Sequence, residues 1–175
     1  MLTELVKVPA ERIAVLIGKK GETKRELEQK TKARIDVDSE SGEVEVSGKN
    51  AEGVVKAESV VKAIARGFSP EKAFMLLKED FFLEIIDLAE ELGKKGKRLE
   101  SKKGRVIGRH GLFREEIEKK TKAFVSVYGK TICLIGTEGE IGKALRAVEM
   151  LLEGAKHKSV KKFLDKKEKR EIFEI

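Results

Sequence analysis

The chain has one cysteine, one tyrosine and no tryptophan in 175 residues. A single cysteine excludes an internal disulfide framework. Cys133 lies in the strand-like run Ile132-Cys133-Leu134-Ile135 and reads as a small packed residue. Aromatics make up only 5% of the chain, which argues against a ligand held chiefly by stacking on rings. No apolar run approaches the roughly 20 residues of a membrane span. Met1-Leu2-Thr3-Glu4 lacks the basic-then-apolar opening of a secretory signal. These absences lead to the expectation of a soluble, cytoplasmic protein. No Cys/His set forms a metal site and no nucleophile–base pair is visible, so no catalytic residue, metal ligand or cofactor is assigned.

Charge is abundant instead. Asp, Glu, Lys and Arg make up 39% of the residues, and Lys+Arg exceeds Asp+Glu by 38 − 31 = 7. A basic excess permits a polyanionic partner, although Lys and Glu together also dominate heat-stable surfaces. Distribution is more informative than the total. Residues 1–78 hold 15 cations and 13 acids, and residues 79–175 hold 23 and 18. Between Lys94 and Arg109 stand eight Lys or Arg and one acid, Glu100. By this measure the second half is the better polyanion binder.

Gly108-Arg109-His110-Gly111 draws attention next. Glycine lets a chain turn sharply and approach a ligand closely. A helical pattern follows, and the unpaired amides and dipole of a helix start suit a phosphate. One such quartet in a chain with 16 glycines is more readily a plain turn. A second copy changes the odds, because Gly18-Lys19-Lys20-Gly21 lies 108 − 18 = 90 residues upstream. The same offset pairs Ile17 with Ile107, Leu27 with Ile117, Ile35 with Val125 and Val37 with Val127. It also lays Lys30-Thr31-Lys32-Ala33 on Lys120-Thr121-Lys122-Ala123 without a mismatch. An internal repeat of this quality means duplication.

Periodicity then places the elements. A strand over 2–8 ends at Pro9. Short helices over 11–17 and 22–30 flank the first loop. Strands over 34–38 and 43–47 form a hairpin, and Asn50 caps a longer helix carrying Val54, Ala57, Val61 and Ile64 on one face. Ser69-Pro70 caps a further helix over 71–78 that joins the halves. In the second half the apolar segment 81–88 fits a helix or a strand, and the repeat argues for the strand. That reading leaves Ala89–Lys97 as an inserted basic loop and 99–107 as the short helix. Strands over 124–128 and 131–135 meet at Gly129-Lys130, and Thr137 opens the last long helix with capping-box spacing. Gly136 aligns with Gly48 at an offset of 88, which means a shorter hairpin. The tail from Ser159, rich in Lys, reads as a solvated helix packed by Val160, Phe163 and Leu164, or as a contributor to binding.

Helix, Gly-x-x-Gly turn, helix and a backing sheet resemble a KH domain, whose loop clamps about four nucleotides of backbone. The resemblance rests on Ile17-Gly18-Lys19-Lys20-Gly21 and on Val106-Ile107-Gly108-Arg109-His110-Gly111, each followed by β-β-α. It implies an α+β chain of two tandem type I KH domains (β-α-α-β-β-α), each a three-stranded antiparallel sheet on three helices. The units are expected at 1–78, with the connecting helix, and 79–175, with the basic C-terminal helix. The RNA-binding set is then Ile17, Gly18, Lys19, Lys20, Gly21 and Lys24 in the first unit, with Arg105, Ile107, Gly108, Arg109, His110, Gly111 and Arg114 in the second. Lys19, Lys20 and Arg109 would neutralise phosphates, and Lys24 and Arg114, one turn into each helix, could reach the same strand. Ile17, Ile35 and Val37, and Ile107, Val125 and Val127, would floor the two grooves. His110 reads as a hydrogen-bonding loop residue, and His157 has no visible partner.

Lys103-Gly104-Arg105-Val106-Ile107-Gly108, Ser126-Val127-Tyr128-Gly129-Lys130-Thr131 and the stretch from Ala147 to Ala155 before a Phe-Leu-Asp-Lys-Lys tail are similar to archaeal members of the Krr/Dim-type two-KH family. That resemblance implies a role in small-subunit ribosomal RNA processing. It implies binding of single-stranded RNA in the 3′ region of 16S rRNA. It also implies contact with the endonuclease that trims that end, or with the alpha subunit of translation initiation factor two. Eukaryotic members have a degenerate first loop, and this chain departs from them in keeping Gly18-Lys19-Lys20-Gly21. A KH adaptor of translation initiation or RNA decay is the second reading. An enzyme is the third, and it is disfavoured because neither loop continues as the Gly-Lys-Ser/Thr of nucleotide hydrolases. On sequence alone Gly108→Asp is expected to remove RNA binding and spare the fold.

Overall fold

A computed structural model describes residues 1–92 and 96–166, with the backbone alone for residues 91, 92, 96 and 97. In the first unit, strand β1 (Leu2–Lys7) leads to helices α1 (Ala10–Ile17) and α2 (Glu22–Thr31). Strands β2 (Arg34–Val37) and β3 (Glu43–Gly48) and helix α3 (Ala51–Ala65) follow. The second unit repeats the order with β4 (Phe82–Asp87), α6 (Gly96–Ile107), α7 (Leu112–Thr121), β5 (Phe124–Tyr128), β6 (Thr131–Gly136) and α8 (Glu138–Leu152). Each sheet is antiparallel with the last strand in the centre, in the orders β1-β3-β2 and β4-β6-β5. The registers correspond: Arg34 faces Ser47 and Phe124 faces Ile135 across the β2–β3 and β5–β6 pairs. The α+β class and both three-stranded sheets are as expected, and segment 81–88 is the strand that the repeat required.

Caps explain several boundaries. The Asn50 side chain accepts the Gly53 N–H at 3.3 Å. Thr137 and Glu140 form the reciprocal capping box at the start of α8. The exact repeat Lys-Thr-Lys-Ala is a helix stop. Thr31 and Thr121 each donate a hydroxyl to the carbonyl four residues back at 2.7 Å. Lys32 and Lys122 then turn left-handed, at φ 58° and 67°, and the amides of Ala33 and Ala123 return to the threonine oxygens.

Two expectations change. The joining segment is helical only over α4 (Pro70–Ala73), after which Phe74–Leu77 tightens into a 3₁₀ turn. The insert is not simply a loop. Asp87 Oδ1 accepts the amides of Ala89 and Glu90 and starts the short helix α5 (Leu88–Leu92). Helix α6 then begins at Gly96, three residues before the expected start, and residues 93–95 lie outside the described part. Helix α6 is hard to see in sequence because it buries only a sparse apolar set, including Leu99 and Val106. The C-terminal helix α9 (His157–Asp165) packs by Val160 and Leu164, and residues 167–175 lie outside the described part. Among the described residues no helix is long and apolar enough to cross a membrane.

The duplicated sheets differ in how they are covered. In β3 the outward Glu43 and Glu45 are exposed while Val44 and Val46 are buried, the pattern of a sheet with one wet face. In β6 every residue is buried. Ile132 and Leu134 face the second unit's helices, whereas Cys133 and Ile135 join the core of the first unit, near Phe74–Leu77. The continuous apolar run at 132–135 is the sequence signal for that double burial. Across the same interface the Ser126 hydroxyl donates to the Arg66 carbonyl at 2.8 Å, and the Tyr128 hydroxyl donates to Glu11.

Burial pushes the Cys133 thiol up to about 11, so it is neutral and shielded. We expect Cys133 to resist a disulfide-exchange reagent at pH 8 in the folded protein and to react at once in denaturant, and rapid native labelling would contradict the interface. Gly53 tests packing in the first unit. An alanine is ordinarily favoured near a helix start by up to about 1 kcal/mol. Here its Cβ would lie 2.0 Å from the Thr31 carbonyl oxygen. Gly53→Ala should therefore lower the unfolding free energy by roughly 1–2 kcal/mol, and a gain in a denaturant titration would refute the contact.

Candidate nucleic-acid interface

The two loops are near copies in backbone angles. Gly18 leaves α1 at φ 75°, ψ 175°, and Gly108 leaves α6 at φ 71°, ψ −179°. The third residue of each loop is left-handed without being glycine: Lys20 at φ 53°, ψ 27° and His110 at φ 56°, ψ 26°. Such a conformation costs roughly 1–2 kcal/mol in a non-glycine residue and is held only where its surroundings impose it. Gly21 and Gly111 follow, also left-handed, and their amides return to the carbonyls of Gly18 and Gly108 at 3.2 and 3.3 Å. In the first loop Arg25 adds a brace, donating to the Lys20 carbonyl at 2.8 Å.

The two glycines of each loop do different work. A Cβ on Gly18 would lie 2.2 Å from Thr23 Oγ1, and one on Gly108 would lie 2.5 Å from Phe113 Cβ. The first glycine therefore lets the loop close against its own helix. At Gly21 and Gly111 nothing lies within 4 Å of an added Cβ. That side faces open space, and no side chain caps the amides that open α2 and α7. This corrects the expectation for Gly108→Asp, because the clash and the positive φ put the fold itself at risk.

Lys19, Lys20, Arg109 and His110 are exposed around these turns. Lys24 and Arg114 stand one turn on, each tethered to a carboxylate. Lys24 pairs with Glu28 at 3.6 Å and Arg114 with Glu118 at 3.0 Å. The same two glutamates accept the amides of Ile35 at 2.9 Å and Val125 at 2.8 Å. Glu28 and Glu118 are thus a duplicated clasp between the second helix of each unit and the strand after it. Reading by cations overlooked them, although their common offset of 90 was available.

The apolar floors come together in part. Ile35 is fully buried and belongs to the core, while Ile17 and Val37 are half-buried beside it. In the second unit Ile107, Val125 and Val127 line a groove of about 450 Å³ with Arg114 and Ser126. Gly67, Phe68, Ser69 and Lys72 form its other wall, all from the segment that joins the units.

Arg105 is not brought to the loop. Its guanidinium donates to the Ala155 carbonyl, just beyond α8, and Lys102 donates to the Leu152 carbonyl at 2.7 Å. His157 does have partners. Its ring stacks on Phe113 at 4.2 Å between centroids and its Nε2 lies 2.7 Å from the Arg105 carbonyl oxygen. Lys103 faces Glu100 at 3.4 Å. Lys102 and Arg105, from the basic run before the second loop, therefore hold helices together, which weakens the charge-based ranking of the units. At the loops themselves, residues 18–28 carry four Lys or Arg against three Glu, and residues 108–118 carry two against three. Among the described residues no group of three or more His, Cys, Asp or Glu is placed to hold a metal ion.

Comparison with known proteins agrees with this geometry. A family model described as a eukaryotic-type KH domain, type I, matches residues 82–169, and a general KH-domain model matches residues 3–63. A KH domain-containing protein of Methanocaldococcus jannaschii is 41% identical over 179 residues, covering 98% of this chain and 78% of that one. The crystal structure of Dim2p from Pyrococcus horikoshii OT3 superposes with a TM-score of 0.88 at 46% identity, covering 95% of this chain and 100% of the other. A chain in the a/eIF2alpha-aDim2p-rRNA complex of the same organism superposes with a TM-score of 0.86 at 48% identity, covering 93% and 92%. Two glycine loops of one conformation, two sheets of one order and these matches lead to the same place: the chain belongs to the KH-domain RNA-binding proteins, in the archaeal two-KH family of the Dim type.

Proposed function

We propose that this protein is a non-catalytic single-stranded RNA-binding factor of small-subunit ribosome biogenesis that grips RNA backbone at both Gly-x-x-Gly loops. The observation that carries the reading is the pair of open, uncapped turns, the second beside a groove lined by Ile107, Val125 and Val127, with Lys19, Lys20 and Arg109 exposed around them. A phosphate seated at either turn would rest on main chain with no side chain in its way and meet a neighbouring cation. The target is the 3′ region of 16S rRNA, in the cytoplasm, and the division between the RNA-binding units falls at 78/79. The complex that holds a similar chain with rRNA and a/eIF2alpha supports both RNA and the alpha subunit of initiation factor two as partners. The endonuclease that trims the 3′ end is a third partner, on the family resemblance. The presence of a/eIF2alpha in that complex also favours the second reading, an adaptor in translation initiation. Crosslinking the protein to total cellular RNA and sequencing the retained fragments separates the two. Recovery dominated by the 16S 3′ end supports ribosome assembly, and recovery spread over other RNAs supports the adaptor.

Two mutational outcomes follow. Gly21→Asp and Gly111→Asp each place a negative charge where a phosphate would rest, in open space. Asp is among the side chains that tolerate left-handed backbone best. Each should weaken RNA binding about tenfold, roughly one lost charge-assisted hydrogen bond, while the left-handed backbone lowers the melting temperature by only about 2–4 °C. Gly108→Asp should instead lower the melting temperature sharply, and a normally folded Gly108→Asp protein would contradict the packing against Phe113. Replacing Lys19 and Lys20 together by Gln should lower the log–log salt slope by about 1.4, against about 0.7 for Arg109→Gln. Equal slopes in all three proteins would remove these cations from the interface.

A further inference from the structure

We infer that the RNA groove of the second unit is a composite, and that Lys72, from the segment joining the units, contacts a phosphate of the strand lying in it. The inference rests on the RNA-binding reading above and assigns a contact outside the repeated motif. The groove has two walls. One is α7, with Arg114, and the other is Gly67–Lys72, facing it across Val125, Ser126 and Val127. A strand lying between Ile107 and Val127 would pass along both.

Lys72 is held in place and is not fully neutralised. Ser69 and Pro70 open α4 and fix where its third helical position points, while Phe68, Ala73 and Leu76 around it are buried. Its Nζ lies 5.4 Å from the centroid of Phe124, over the ring of the second unit's own strand. The nearest carboxylate is Glu118, at 3.9 Å, the outer limit of an ion pair. Glu118 is already engaged, accepting the Val125 amide at 2.8 Å and pairing with Arg114 at 3.0 Å. Arg114 also reaches Glu115 at 4.0 Å, so Lys72 holds only the outermost share of Glu118, and its charge is loosely compensated at the groove. Its side chain keeps 39% exposure, so a phosphate can reach it without displacing protein.

The arrangement ties recognition to the relative placement of the units. The wall is pinned to β5 by the bond from the Ser126 hydroxyl to the Arg66 carbonyl, directly before Gly67. A Cβ on Gly67 would lie 2.7 Å from the Ser126 oxygen and 3.1 Å from the Tyr128 Cβ, so the wall sits tightly against the strand. RNA in this groove reads a surface that neither repeat provides alone.

The test is a salt-dependent anisotropy titration of the full chain with a dye-labelled single-stranded RNA of 3′-terminal 16S sequence. Wild type is compared with Lys72→Gln, Lys72→Arg and Lys62→Gln, with a thermal melt for each. Lys62 is a control because it pairs with Glu58 and lines a different cavity. We expect Lys72→Gln to weaken binding several-fold and to lower the log–log salt slope by about 0.7. Lys72→Arg should retain affinity and slope, and Lys62→Gln should match wild type. A merely structural role would move the melting temperature and leave the slope alone. If Lys72→Gln binds with wild-type slope, the composite groove is wrong and the loop-based reading stands. If wild type itself shows no salt-dependent binding, the RNA reading fails and takes this inference with it.

Discussion

Everything at the candidate interface depends on one backbone event, the break between two helices at Gly18 and again at Gly108. A residue with a side chain cannot leave α1 or α6 there without strain, because φ is near +70° and the following helix stands well inside van der Waals contact of the missing Cβ. That close approach puts the next helix immediately after the turn, with no side chain capping its start. Lys20 and His110 are then forced into a conformation that side-chain-bearing residues seldom adopt. Strain kept in both copies, at residues of different chemistry, points to the backbone path as what duplication preserved. Side-chain identity at the middle positions differs between the copies, Lys-Lys in one and Arg-His in the other.

Around that shared core the two units have diverged in their surroundings. The first sheet keeps a wet face, marked by exposed Glu43 and Glu45. The central strand of the second sheet is buried on both sides and is locked to the first unit through Cys133 and Ile135. The cations near the second loop have likewise been redirected. Arg105 and Lys102 satisfy carbonyls at the end of α8, where helix carbonyls have no partner of their own. A count of charge along the chain therefore overstates what the second loop offers to a phosphate, and the groove wall lent by the joining segment compensates with Lys72.

Much of this was legible from residues alone. The offset of 90 located both loops with the helix and strand after each, and the repeated order of elements located the ambiguous strand at 82–87, because duplication supplies a second measurement of every element. Caps at Asn50 and Thr137 were readable because their chemistry is local. What stayed hidden was non-local. Helix α6 was started too late because most of its length is polar and its anchoring bonds reach residues some 50 positions away. The His157–Phe113 stack, the duplicated Glu28 and Glu118 clasps and the composite groove all join segments that sequence proximity does not connect. The all-apolar run 132–135 did carry the interface signal, but it reads equally as ordinary core until the first unit is placed beside it.

The central claim is that RNA backbone is received by the main chain of both turns. Amide chemical shifts during titration of the isotope-labelled chain with single-stranded RNA address it directly. The account predicts that the largest changes fall on Gly21 and Glu22 and on Gly111 and Leu112, with the wet face of the first sheet, Glu43 and Glu45, unmoved. Changes concentrated on that sheet face, with both turns silent, would contradict it.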